Sequence, residues 1–132
     1  MRNFPLSIYT PEGPKFQGDA QSLIVRSVCG DVCILAGHID YVTTIEVGRV
    51  KVKTQLEERS ASCSGGFLSV KDGEAKLVAT TFEFADEIDL SRAQRARDKA
   101  QKRIQNAKSD KDLRIAELKL KRALNRINVS EM

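Results

Sequence analysis

Three arginines near the C-terminus, Arg92, Arg122 and Arg126, are the residues of this sequence best suited to bind an anion. A planar guanidinium group donates paired hydrogen bonds that match the oxygens of a phosphate group. No acidic residue lies between Leu118 and Arg126, so Arg122 and Arg126 have no carboxylate beside them along the chain. The three arginines therefore predict a phosphate-binding cluster, provided that the fold brings them together.

Two amphipathic helices joined by a polar turn would position these arginines. Ser109, with Asp112 three residues later, predicts the start of the second helix. Arg92 lies seventeen residues before Ser109 and Arg126 seventeen residues after it, so an antiparallel hairpin would bring the two side chains level. Arg122 is four residues from Arg126 and lies on the same helical face. The small and apolar residues at steps of three and four that predict the hairpin are Ala93, Ala96, Ala100, Ile104, Ala107, Leu113, Ala116, Leu120, Ala123, Leu124 and Ile127.

The predicted seam of this hairpin is mostly alanine on the first helix. Packing alanine removes little apolar area from water, at roughly 25 cal/mol per Å², and helices of about 12–15 residues are marginal on their own. We therefore expect a hairpin that closes without being locked shut.

The residues before the hairpin predict a β-sandwich. Short apolar or alternating runs, broken by glycine and proline, indicate strands in an antiparallel sandwich. Asp72 and Gly73 between two such runs predict a tight hairpin turn. The predicted domains are a β-sandwich over residues 1–84 and a C-terminal two-helix hairpin over residues 85–132. The predicted strands cover residues 4–8, 23–28, 32–35, 42–45, 50–53, 57–63, 67–70 and 75–82.

Positive charge is concentrated in the hairpin. The whole chain of 132 residues has a net charge of +4, but residues 89–132 hold 13 Lys and Arg against 6 Asp and Glu, whereas residues 1–88 hold 9 against 12. This asymmetry indicates an anionic partner for the hairpin or a solvated basic face. No apolar run has the length of a membrane span or a signal peptide, so we expect a cytoplasmic protein without direct membrane insertion.

Catalysis by this chain alone is not expected. His38 is the single histidine and has no recognisable nucleophile or acidic partner. Cys29, Cys33 and Cys63 form no Cys-x-x-Cys pair, which argues against a disulfide framework or a metal site and favours buried free thiols. Nucleic-acid binding stays a minor alternative, because the basic hairpin contains no aromatic residue for base stacking.

The order and spacing of six motifs resemble the epsilon subunit of bacterial F-type ATP synthases. The motifs are Tyr9-Thr-Pro-Glu-Gly13, Gly30-Asp-Val-Cys-Ile-Leu-Ala-Gly-His38, Val47-Gly-Arg-Val50, Ser64-Gly-Gly-Phe-Leu-Ser-Val70, Ile88-Asp-Leu-Ser-Arg-Ala93 and Arg122-Ala-Leu-Asn-Arg-Ile127. The resemblance implies a sandwich of about ten strands followed by two helices. It also implies a non-catalytic rotor subunit that couples proton flow to ATP synthesis and inhibits ATP hydrolysis through its C-terminal helices.

Partners and location follow from the same resemblance. The implied partners are the gamma subunit, the membrane c-ring and, when the hairpin is extended, the β and α subunits of the catalytic hexamer. The implied place is the cytoplasmic face of the bacterial plasma membrane, as a peripheral protein. Asp31 and His38 are the expected rotor-ring contacts. Cys33, Ala36 and Asp40 replace the glycine and two prolines that relatives usually carry.

The motif from Ile88 to Ala93 also resembles that of ATP-binding relatives. The resemblance implies that the adenine side is held near Glu83, Ile88, Asp89 and Ala93, beside the phosphate-binding arginines. No cofactor is required, and ATP is expected as a regulatory ligand that stabilises the closed hairpin. Two alternatives stay open: Asp89 serves only as a helix N-cap, which contributes about 1 kcal/mol, or the hairpin inhibits hydrolysis without nucleotide.

Overall fold

The computed structural model describes residues 2–131 and divides into two compact units, Met1–Phe84 and Ala85–Met132. Eight β-strands form the described part of the first unit. They are β1 (Phe4–Thr10), β2 (Gly13–Ala20), β3 (Ser22–Ser27), β4 (Gly30–Leu35), β5 (Tyr41–Lys53), β6 (Glu58–Lys71), β7 (Glu74–Ala79) and β8 (Phe82–Phe84).

Alternating burial explains why these segments are strands. In β3, for example, Leu23 and Val25 are buried while Arg26 is exposed. Such alternation directs one face of each strand into a common core. Phe82 and Leu6 are among the largest fully buried side chains of that core. The predicted β-sandwich is confirmed.

Two long strands connect the layers of the sandwich. The hydrogen-bonded order is β2-β1-β7-β6-β5-β3-β4, and β8 also pairs with β6. Strand β5 has 13 residues and β6 has 14. The first half of β6 pairs with β8 over residues 61–63, and its second half pairs with β7 over residues 66–71. Strand β6 thus pairs with a different strand along each half of its length.

Glycine is required where β6 passes from β8 to β7. Gly65 and Gly66 have φ angles of 114° and 138°, in the region that favours glycine. A side chain at Gly66 would also overlap the backbone carbonyl of Val78 on the neighbouring strand. The pair is therefore a bend within a continuous strand.

The strand pattern differs from the predicted one in three respects. The described residues contain eight strands rather than about ten, because β5 continues through Gly48 and β6 through Gly65 and Gly66. Strand β2 was not predicted, since its burial does not alternate. The sheet is also not wholly antiparallel, because β1 and β7 run parallel. The Asp72-Gly73 turn is confirmed, with φ angles of 52° and 78° at its two residues.

The second unit contains the predicted two-helix hairpin. A short 3-10 turn (Ala85–Glu87) precedes α1 (Leu90–Gln105) and α2 (Asp110–Ser130). Asp89 caps α1, where its Oδ1 accepts a hydrogen bond from the Arg92 N–H at 3.1 Å. Ser109 caps α2 as predicted, where its Oγ accepts from the Asp112 N–H at 3.1 Å. These caps satisfy backbone donors that have no partner within the helix.

Alanine dominates the buried positions of the hairpin, as the sequence predicted. Four of the six buried residues in the two helices are alanines, and the six are Ala93, Ala100, Ala116, Ala123, Ile127 and Val129. The assignment of Leu124 to the apolar stripe was wrong, because that side chain is 40% exposed. Within residues 2–131, neither helix is long and apolar enough to cross a membrane.

Candidate anion-binding site

A cavity of about 280 Å³ lies between α1 and α2 and is strongly cationic. Three alanines, Ala96, Ala100 and Ala123, form its apolar lining. Five basic side chains complete the lining: Lys99, Arg103, Lys119, Arg122 and Arg126. We call these five residues the cation cluster.

Helical periodicity creates this cavity. The lining residues of α1 span residues 96–103 at steps of three and four, and those of α2 span residues 119–126 at similar steps. Such steps place side chains on one face of each helix. Alanine at the seam leaves space that a larger apolar side chain would fill. The basic side chains then surround a gap that the helices themselves do not close.

The charged residues that line the cavity are all basic. Among the lining residues that the structure describes there is no carboxylate. The Nε atom of Arg122 is buried and has no hydrogen-bond partner within residues 2–131. A buried charged donor without a partner is costly, and an anionic oxygen would satisfy it. The cavity therefore has the chemistry of an anion site.

Two of the three predicted arginines belong to this site. Arg122 and Arg126 line the cavity, whereas Arg92 is exposed and does not line it. The cavity begins on α1 at Ala96, one helical turn beyond Arg92. Lys99, Arg103 and Lys119 were missed by the sequence reasoning, although their spacing from Ala96, Ala100 and Ala123 follows the same helical steps.

The residues expected on the adenine side lie outside the cavity lining. Ile88 is half-buried and precedes the helix cap Asp89, and Ala93 is buried on α1. Glu83 belongs to the other unit, where it lies on β8 and pairs with Ser62 of β6.

The two expected rotor-ring residues lie at opposite ends of β4. Asp31 is the second residue of the strand, and its Oδ1 lies 3.3 Å from Nη1 of Arg26 in an exposed ion pair. His38 follows the strand in a loop, and its ring centroid is 5.7 Å from that of Tyr41. The strand separates Asp31 from Leu35 by about 14 Å at 3.4 Å per residue.

Asp40 fixes the loop that contains His38. Its Oδ1 accepts a hydrogen bond from the backbone N–H of Asp72 at 3.0 Å. Asp72 lies in the tight turn between β6 and β7. A side-chain hydrogen bond thus holds a position at which relatives were expected to carry a proline.

The cysteines are mostly not buried. Cys29 and Cys33 are exposed, contrary to expectation, because one lies in the β3–β4 turn and the other points outward from β4. Cys63 is buried, and this burial raises the pKa of its thiol. Its S–H lies within hydrogen-bonding distance of the Gly65 carbonyl, at 3.6 Å.

Both units match family models. Residues 3–85 match the ATP synthase delta/epsilon chain β-sandwich domain, and residues 86–131 match the ATP synthase delta/epsilon chain long α-helix domain. Together these matches account for almost the whole chain.

Individual proteins are similar over the same length. The ATP synthase epsilon chain of Bacillus cytotoxicus is 37% identical over 132 residues, covering 100% of this chain and 99% of the relative. That of Lacticaseibacillus casei is 45% identical over 130 residues, covering 94% and 91%.

Solved structures show the same fold at lower identity. A chain of the Euglena gracilis mitochondrial ATP synthase assembly of OSCP, F1 and c-ring has a TM-score of 0.79 at 21% identity, covering 90% of this chain and 76% of that one. A chain of the Tetrahymena thermophila mitochondrial ATP synthase central stalk and c-ring has a TM-score of 0.70 at 12% identity, covering 98% and 97%.

Proposed function

Since this chain belongs to the epsilon-chain family of F-type ATP synthases and is a non-catalytic subunit of the central stalk, we propose that its helical hairpin is an ATP-sensitive brake on ATP hydrolysis. In this proposal ATP binds the closed hairpin at the cation cluster. The open hairpin inhibits the catalytic subunits.

The buried Nε of Arg122, unpartnered among the described residues, in a cavity lined by basic side chains is the observation that carries this proposal. Arg122 and Arg126 offer guanidinium donors for phosphate oxygens, and the buried Nε of Arg122 has no other partner within residues 2–131. The cavity of about 280 Å³ lies just below the size of sites that enclose whole drug-sized ligands. It therefore suits the phosphate chain, with the adenosine outside, toward Ile88, Asp89 and Ala93.

A weak seam makes the hairpin responsive to its ligand. Ala93, Ala100, Ala116 and Ala123 bury little apolar area when the helices close. A ligand that binds only the closed form stabilises it by about 2.7 kcal/mol at one hundred times its dissociation constant. That contribution is enough to shift a marginal equilibrium between closed and open forms.

The open form supplies the inhibitory step. Opening fully exposes the half-buried Arg122 and Arg126 beside the other basic residues of the hairpin, which favours contact with acidic segments of the β and α subunits. When the ATP concentration falls, the hairpin opens and inhibits ATP hydrolysis by the hexamer. When the ATP concentration rises, the hairpin closes and the inhibition ends. Coupling to proton flow occurs through the rest of the rotor, at the cytoplasmic face of the bacterial membrane.

The β-sandwich has the assembly role in this proposal. We assign its partners as the gamma subunit and the c-ring, with Asp31 and His38 as the ring contacts. The exposed ion pair of Asp31 with Arg26 presents both signs of charge at one end of β4. Co-purification with gamma tests this role, and a chain that assembles without gamma would contradict it.

Titration of the full chain with ATP tests nucleotide binding. Amide chemical shifts near Asp89 and Arg126 should change at millimolar ATP. Arg122→Gln should weaken binding about tenfold to a hundredfold, as expected for loss of a charged hydrogen bond. The matched control is Arg114→Gln, which removes the same charge from an exposed site outside the cavity.

Inhibition without nucleotide is the second candidate. It is favoured by the cap at α1, because the hydrogen bond from the Arg92 N–H already accounts for Asp89. If ATP causes no shift at Asp89 or Arg126 while the assembled subunit still inhibits hydrolysis, this second function replaces the first.

A further inference from the structure

We propose that Arg103 and Lys119 form an additional phosphate subsite, so that the hairpin cavity accepts a linear chain of at least four phosphates. This inference rests on the proposed function, because it extends the same cavity. Neither residue belongs to the motifs that carry the nucleotide hypothesis.

The cation cluster is arranged in levels along the helices. On α2, Lys119, Arg122 and Arg126 are separated by three and four residues, or about 4.5 and 6 Å at 1.5 Å per residue. On α1, Lys99 and Arg103 are four residues apart, or about 6 Å. Since the helices run antiparallel, Arg103 and Lys119 lie together at the end of the cavity nearer to the interhelical turn.

The cluster is longer than a chain of three phosphate groups. From Lys119 to Arg126 the cluster extends about 10.5 Å along α2. Arg126, Arg122 and Lys99 already provide a cation for each of three phosphate groups. Arg103 and Lys119 then remain beyond the terminal phosphate, where a longer chain would place its next phosphate group.

Repulsion within the cluster argues that this end is built for an anion. Lys99 and Arg103 carry like charges at a spacing of four residues, and so do Lys119 and Arg122 at a spacing of three. Like charges at such spacings repel each other and destabilise the helix that contains them. Elsewhere on α1, Arg97 has a carboxylate beside it, with its Nε 3.2 Å from Oδ1 of Asp98. A bound polyphosphate would supply the negative charge that the lining residues do not.

Inorganic phosphate chains of increasing length test the subsite without any nucleoside. Calorimetric titration of the full chain with pyrophosphate, tripolyphosphate and tetrapolyphosphate should show affinity rising at each step. The last step should gain about tenfold, because it adds charged hydrogen bonds to Arg103 and Lys119. Physiological salt screens general attraction beyond about 8 Å, so the measurement is made at that ionic strength.

A pair of double variants separates the subsite from general charge. Arg103→Gln with Lys119→Gln should remove the gain from tripolyphosphate to tetrapolyphosphate. Lys111→Gln with Arg114→Gln removes the same charge from exposed sites outside the cavity and should keep the gain. All four side chains are exposed, so both double variants should keep the hairpin fold, which circular dichroism would verify.

The outcomes distinguish this inference from the proposed function. Tetrapolyphosphate that binds the native chain no more tightly than tripolyphosphate overturns the subsite, and so does an equal loss in both double variants. ATP binding in the same experiments leaves the proposed function standing in either case. If neither ATP nor any phosphate chain binds, both proposals fail.

Discussion

The carboxylate of Asp40 accepts a hydrogen bond from the backbone N–H of Asp72 at 3.0 Å, although the two residues are 32 positions apart. This contact ties the His38 loop to the tight turn between β6 and β7. The contribution of this one hydrogen bond to the stability of the loop can be measured with a single substitution.

Replacing Asp40 by Ala should loosen this loop. Loss of one exposed hydrogen bond costs about 0.5–1.5 kcal/mol. Hydrogen exchange at the Asp72 amide should accelerate, and the free energy of unfolding in urea should fall by that amount. Asp40→Asn retains an acceptor oxygen and serves as the control. Equal exchange rates at Asp72 in the Ala variant and the native chain would contradict this role.

Removing the cap at Ser109 should weaken α2 at its first turn. Ser109→Ala leaves the Asp112 N–H without its side-chain acceptor, at a cost of about 1 kcal/mol. Amide exchange in the first turn of α2 should accelerate, while amides of the sandwich core keep their protection. Ser109→Asp provides another capping oxygen and should restore the native rates. Unchanged amide exchange in Ser109→Ala would show that the cap does not contribute to the stability of α2.

Filling the cavity should separate closure of the hairpin from binding of its ligand. Ala96→Leu adds apolar volume to the lining, so it should stabilise the closed hairpin by up to about 1 kcal/mol. The same side chain would occupy space needed by phosphate and should weaken ATP binding about tenfold or more, a loss of about 1.4 kcal/mol. Thermal unfolding and calorimetry measure the two effects.

The matched control for this substitution is Gln101→Leu. Gln101 is exposed on α1 and does not line the cavity, so the added leucine should leave ATP binding unchanged. ATP binding of native strength in Ala96→Leu would place the ligand elsewhere.

The three thiols should react at two different rates. Cys29 and Cys33 are exposed and should be modified quickly by a thiol reagent at neutral pH. Burial raises the pKa of Cys63 above its ordinary value of 9.0, so its reactive thiolate is scarcer and also shielded. Guanidinium chloride should make all three thiols react at one rate. Three fast thiols in the native chain would contradict the burial of Cys63.

The same shift predicts a loss of stability in alkali. A raised pKa means that the folded chain favours the neutral thiol, so this contribution is complete below the pKa of the unfolded chain. As the pH rises above about 9, the unfolded chain releases the Cys63 proton first, and the free energy of unfolding falls. Cys63→Ser controls for other titrating groups, since it should reduce this dependence.

Local signals predicted the helical hairpin well. Ser109 and Asp112 marked the start of α2 because capping depends on neighbours within one turn. The position of the cation cluster along the helices was harder to predict. Which residues of the two helices face each other depends on the packing of Ala100 and Ala123 rather than on the position of the turn. This is why Arg92 was assigned to the predicted phosphate-binding cluster and Lys99 was missed.

The sheet was less predictable where pairing is non-local. The turn residues Asp72 and Gly73 predicted the β6–β7 hairpin, whereas no local pattern indicates that β1 pairs with β7 in parallel. Alternation in β1 identifies its buried face but not its neighbour. The fold class was therefore predictable, and the strand order was not.

The parallel pairing of β1 with β7 also has a consequence for synthesis of the chain. Leu6 pairs with Ala75, so β1 can pair with β7 only after the ribosome has synthesised nearly seventy further residues. Contacts between such distant residues form slowly, because a long loop must close first. Until Ala79 has emerged from the ribosome, the edge of β1 that pairs with β7 is exposed. Its unpaired backbone groups can then form hydrogen bonds with strands of other chains. The order of translation therefore makes the sandwich aggregation-prone early and leaves the hairpin as the last element to fold.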